Sequence, residues 1–164
     1  MQQEHAQDVM DKEMASKHYK MLGLNLLISL IVMYLAMFAM IWSFGDFFNN
    51  NNMLYMALVM WAPMGILMLV MMPMMYPDKR LNMVLHAVFI LLLVGAFWGI
   101  RAQALVNDKQ FVRAMIPHHS GALTMCNRAA IRDQEIRDLC FKPNGIVASQ
   151  TREIAQMKAI LNRL

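Results

Sequence analysis

Residues Met53 to Met75 read MLYMALVMWAPMGILMLVMMPMM, a run with no Lys, Arg, Asp or Glu. At about 1.5 Å of rise per residue, a helix of this length crosses a hydrocarbon core of about 30 Å. Two more runs share its character, about Met21 to Phe44 and about Leu81 to Ile100. The chain is 59% hydrophobic, with a mean hydropathy of +0.38. That is too apolar for an ordinary soluble domain of 164 residues. We therefore expect an all-α chain with a three-helix transmembrane domain over residues 21–100. The first run is too long, and too far from the N-terminus, for a cleaved signal peptide, and reads as a signal anchor.

Charge sets the orientation. The tail, residues 1–20, carries Lys12, Lys17 and Lys20, and the short second loop carries Lys79 and Arg80. The first loop, Gly45 to Asn52, holds Asp46 and four asparagines and no basic residue. Positive charge marks the tail and the second loop as cytoplasmic. Three crossings then put residues 101–164 outside, in the periplasm if the membrane is a bacterial inner membrane. Arg101, flanking the third span, argues weakly the other way. His5 and His18 fall in the polar tail and need no special role.

The spans carry more than bulk apolarity. Met53, Met56, Met60, Met64, Met68, Met71 and Met75 recur at steps of three or four, on about a third of a helix circumference. Met33, Met37 and Met40 make a shorter stripe on the first span. Two readings stay open: flexible packing, since methionine fills irregular gaps, or a thioether path for Cu(I). His86, inside the third span, is either a functional group or a neutral histidine bonded to Asn25 at similar depth.

The C-terminal segment is a different material, with ten of the fifteen Lys and Arg residues. A solvated basic surface explains that charge, and nothing in it resembles a nucleic-acid motif. Asn107 or Asp108 can cap a helix running to about Ile131, bent or broken at Pro117. Asp133 caps a short helix to Cys140. Lys142-Pro143-Asn144-Gly145 is a stop signal, and a last helix runs from about Ile146 to Leu161.

On the first of these helices Met115, His118, His119, Met125 and Cys126 share about a third of the circumference. Imidazole, thioether and thiol are ligands for a late transition metal, and no oxygen ligand for a hard cation stands among them. Copper is the first expectation, Cu(I) ahead of Cu(II), with silver as an analogue. Folded as a hairpin about Arg132 and Asp133, the arms bring Cys126 level with Cys140. A disulfide is the favoured reading there, with metal ligation or free thiols as alternatives. The same counting puts His118 and His119 level with Gln150, and Met115 level with Glu153.

The pattern Phe111, Met115, His118-His119, Ala122, Met125, followed by Gln150, Glu153-Ile154 and Met157, resembles the domain of unknown function 305 family, which includes CopM-like copper-binding proteins. The resemblance covers about residues 107–163. It implies a ferritin-like helical fold and metal handling tied to copper or silver tolerance. Carried over by position, it implies ligands at His118, His119, Met115, Met125 and Met157, with Gln150 and Glu153 supporting. Two departures stand out: the Pro143-Asn144-Gly145 interruption, and the membrane helices in front of a domain often found soluble. More thinly, Met60-x-x-x-Met64 and Gly95-x-x-x-Gly99 are similar to motifs of Ctr-family copper transporters, whose orientation is opposite.

No catalytic motif is present, and the inward Glu-x-x-His pairs of di-iron bundles are missing. The expectation is a membrane-anchored copper-binding protein rather than an enzyme. Its partners would be the lipid bilayer, a second copy completing a four-helix bundle, and other copper-handling proteins. The alternatives are a transporter using the methionine ladder, and a structural or accessory subunit with no essential metal.

Overall fold

A computed structural model describes the backbone from Gln2 to Leu164 and the side chains of Met10 and residues 13–164. The side chains of His5 and Lys12 lie outside the described residues. Six helices follow one another: α1 (Gln2–Ala36), α2 (Asn51–Met71), α3 (Lys79–Ala102), α4 (Asp108–Arg128), α5 (Gln134–Phe141) and α6 (Ile146–Leu161). A 3-10 turn, Phe44–Asp46, lies between α1 and α2, and no strand occurs among the described residues.

Three stretches are long and apolar enough to span a bilayer: Glu13–Ala36, Asn51–Met71 and Lys79–Ala102. Their edges differ from those expected. With strong helix formers and no Gly or Pro before Gly23, the polar N-terminal segment is helical from Gln2 and continuous with the first span. That span ends at Ala36, not Phe44. Met37 and Met40 thus leave the stripe they were expected to form with Met33. The second span ends at Met71 because Pro73 lacks an N–H and disfavours a helical residue before it. Met75 falls beyond the helix in a turn and drops out of the ladder.

The chain divides into two compact units. The first holds residues 1–34 and 55–98. Its core is Leu22, Leu26, Ala62, Leu69, Tyr76 and Phe89, with Met64 and Met68 packed against it. Gly65 of α2 leaves room for the Phe89 ring of α3: an added Cβ would sit 2.6 Å from it. Trp61 Nε1 donates to the Leu26 carbonyl at 2.6 Å. At the other end Tyr19 donates to Asn82 Oδ1 at 2.8 Å. His86 does not pair with Asn25: its Nδ1 lies 2.6 Å from the carbonyl of Asn82, one turn back on its own helix. A carbonyl only accepts, so Nδ1 carries the proton.

The second unit holds residues 35–54 and 99–164. Asn107 Oδ1 accepts from the Gln110 N–H, and Asp133 Oδ1 from the Ile136 N–H, each at 3.0 Å, as their capping positions predict. Along α5, Lys142 and Gln134 bond the half-exposed Asp138 carboxylate and hold it below the usual range. Gly145, before α6, has no room for a side chain: a Cβ would meet the carbonyls of Leu139 and Cys140 at 2.8 and 2.9 Å. Val112, Ile116, Leu123 and Ile154 form the core of the α4–α6 hairpin.

Of the bend or break expected at Pro117, the break does not occur: α4 is continuous through it. Proline removes the N–H that would bond the Arg113 carbonyl. The Asn50 side chain, from the loop between α1 and α2, donates to that carbonyl instead, at 3.5 Å. The same loop reaches the α3–α4 connection, where Asn51 Nδ2 donates to Leu105 O and Asn52 Nδ2 to Gln103 Oε1. Gln103 and Leu105 hold positive φ of 50° and 57°. The Ala104 N–H bonds Gly99 O, so Gln103 fills the left-handed cap position usually given to glycine.

Candidate metal centre

α4 carries Met115, His118, His119 and Met125, and α6 carries Gln150, Glu153 and Met157. His118 is exposed. The His119 side chain is only 15% exposed, and its Nδ1 lies 2.9 Å from Glu153 Oε2. That contact is close enough for an ion pair, but the ring N–H direction misses the carboxylate, so the buried nitrogen makes no aligned hydrogen bond. The two imidazole centroids are 6.2 Å apart.

The register differs from the one counted in sequence by about one turn. Glu153 meets His119, not Met115. Counting outward along the antiparallel pair, Met157 comes level with Met115, and Gln150 with Ala122. The added length of the Lys142–Gly145 stop, pressed against the end of α5, accounts for the slip. Gln150 is therefore a turn away from the imidazoles it was expected to support. Met115 and Met157 are half-buried, and Met157 packs on the Val112–Ile154 core. Met125 is 60% exposed. It stands six residues from His119, about 9 Å along the helix axis, too far to share an ion with it on the same helix.

Cys126 and Cys140 are joined by a disulfide, with Cα atoms 5.7 Å apart. Cys126 thus offers no thiolate to the face that the sequence grouped it with. Among the described residues no set of three or more His, Cys, Asp or Glu side chains converges. A metal held here has to draw on thioethers beside the imidazoles.

Beside His119 lies a polar cluster that no local motif announces. Asp46, from the first loop, is 3% exposed. Its Oδ2 accepts from Ser120 Oγ at 2.5 Å, and its Oδ1 lies 2.6 Å from Lys158 Nζ. Ser120, fully buried beside His119, also accepts from the Trp42 N–H at 2.7 Å. The Trp42 ring lies under the Arg128 guanidinium, 5.5 Å from its centroid. The only sequence hint was Ser120 lying four residues after Ile116 and three before Leu123, on the apolar side of α4.

A family model described as Domain of unknown function (DUF305) matches residues 100–162. An uncharacterized protein of Acanthamoeba polyphaga mimivirus is 33% identical over 122 residues, 73% of this chain and 76% of its own. That stretch exceeds everything after Trp98, so the likeness reaches back into the long apolar helices. No solved structure matches the chain. By this relationship and by the matched residues, the chain belongs to the DUF305 family.

Proposed function

We propose that the chain is a membrane-anchored binding protein for copper or silver, which captures the ion on the C-terminal hairpin and buffers it or hands it to a partner. The observation that carries this reading is His119: a mostly buried imidazole whose Nδ1 lies 2.9 Å from the Glu153 carboxylate, next to a second imidazole in sequence and one helical turn after the thioether of Met115. A ring whose Nδ1 faces a carboxylate keeps Nε2 for a metal, and the soft ligands on this face fit copper or silver. Glu153 then serves as the carboxylate that orients His119 and raises the basicity of Nε2.

A bacterial inner membrane with the hairpin in the periplasm is the setting that fits best. The basic residues of the α1 and α2–α3 ends support it, and the disulfide independently favours an oxidising compartment. Phe111, Ile136, Leu139 and Phe141 leave apolar area on the hairpin, each at least half exposed. A second copy covering that face would give a four-helix bundle, which suits a hairpin too small for a large core.

The transporter reading draws on the methionine ladder, which the fold divides: Met64 and Met68 pack inward, while Met56, Met60 and Met71 are exposed. X-ray absorption at the copper edge of the loaded protein tests the ligand set. Mixed nitrogen and sulfur scattering that loses its nitrogen part in His118→Ala/His119→Ala supports the site. An oxygen-only shell would refute it.

A further inference from the structure

At the end of the membrane unit that carries Lys17, Lys20 and Lys79 lies a cavity of about 310 Å³. Its walls include His18, Met21 and Asn25 of α1, and Met68, Met72 and Met75 from α2 and the turn after it. One imidazole and four thioethers thus face a single space, and no carboxylate is among the lining residues. That donor set excludes hard cations and selects soft monovalent ones.

Packing alone does not explain the arrangement. Met21, Met72 and Met75 are 58%, 44% and 38% exposed, so they do not fill the core beside them. Pro73 ends α2, and the turn that follows puts Met72 and Met75 on this cavity rather than on the ladder. His18, read from sequence as part of a polar tail, is half-buried on a continuous helix. On that helix Met10, Met14, His18 and Met21 follow at steps of four, four and three, one stripe leading into the cavity. Met10 and Met14 are each 52% exposed, open to an arriving ion.

We propose that this cavity is a second soft-metal site, taking Cu(I) or Ag(I) through His18 and the thioethers of Met21, Met68, Met72 and Met75. The site stands on its own residues and does not require the hairpin site to bind.

The test is Cu(I) titration of the full-length protein in detergent under ascorbate, against a chromogenic Cu(I) chelator. The starting protein is His118→Ala/His119→Ala, which removes the hairpin imidazoles. It is expected to retain one tight Cu(I) equivalent per chain. Adding His18→Ala, or separately Met21→Leu/Met72→Leu/Met75→Leu, should weaken that equivalent at least tenfold. The leucines keep side-chain volume, so helix content by circular dichroism should hold. No retained equivalent in the starting protein, or one unmoved by both inner sets, overturns the proposal. Failure of the hairpin reading looks different: wild type and His118→Ala/His119→Ala would then bind alike.

Discussion

The carboxylate of Asp46 sits 2.6 Å from the ammonium of Lys158, a residue 112 positions later in the chain. Asp46 belongs to the loop after α1, and Lys158 to α6. Through Ser120 and Trp42 the same contact holds α4 as well as α6. The loop and the C-terminal helices belong to one compact unit, which agrees with the single side that three crossings would give them.

Lys158→Met should therefore destabilise the second unit by about 2–3 kcal/mol, since it leaves a buried carboxylate with only Ser120 as a partner. Asp46→Leu/Lys158→Met should be milder than Lys158→Met alone, because no unpaired buried charge remains. Thermal unfolding of the three proteins in the same detergent checks the order. Equal losses in the single and double variants would show that the pair carries no such weight.

The three long apolar helices, the three C-terminal helices and their caps are legible because each rests on local signals: apolar run length, Asn107 and Asp133 before helical periodicity, Pro143 and Gly145 at a stop. What was missed depends on contacts between distant residues. Nothing near Asp46 announces Lys158. Nothing near Pro117 announces that Asn50 takes the freed carbonyl while α4 continues past it. The hairpin register slipped because counting cannot tell how far the Lys142–Gly145 stop displaces α6. Met75 leaves the ladder for a local reason: Pro73 ends the helix that the methionine spacing would carry through it.

Reducing the Cys126–Cys140 bridge should lower stability by about 2–3 kcal/mol, the range for a loop of this length. It should leave copper stoichiometry unchanged, because neither sulfur is a ligand. Denaturant unfolding and metal titration of Cys126→Ser/Cys140→Ser check both halves. A lost copper equivalent would place a cysteine back in the site.

In the membrane unit, Gly65→Val should cost about 1–3 kcal/mol by driving a side chain into the Phe89 ring. Phe89→Leu in the same chain should recover part of that loss. The comparison is read as helix retention on heating in detergent. Additive losses would mean that the two residues do not meet.

Glu153→Gln should weaken copper binding by about 10–100-fold, the range for loss of a carboxylate that orients a ligating imidazole. Gln150→Ala should change it less than threefold, because the register sets Gln150 a turn away. Competition titrations of both variants separate the observed register from the one counted in sequence, which predicts the reverse ranking.

The central measurement is Cu(I) and Cu(II) titration of the purified protein beside His118→Ala/His119→Ala, with Met60→Leu/Met64→Leu/Met68→Leu as a second comparison. The hairpin site predicts that wild type loses one tight equivalent in the histidine variant, and that the loss persists whether or not the ladder is changed. Tight binding of the same stoichiometry and affinity in wild type and histidine variant would contradict it, and the DUF305 hairpin would then be a fold that carries no metal through these residues.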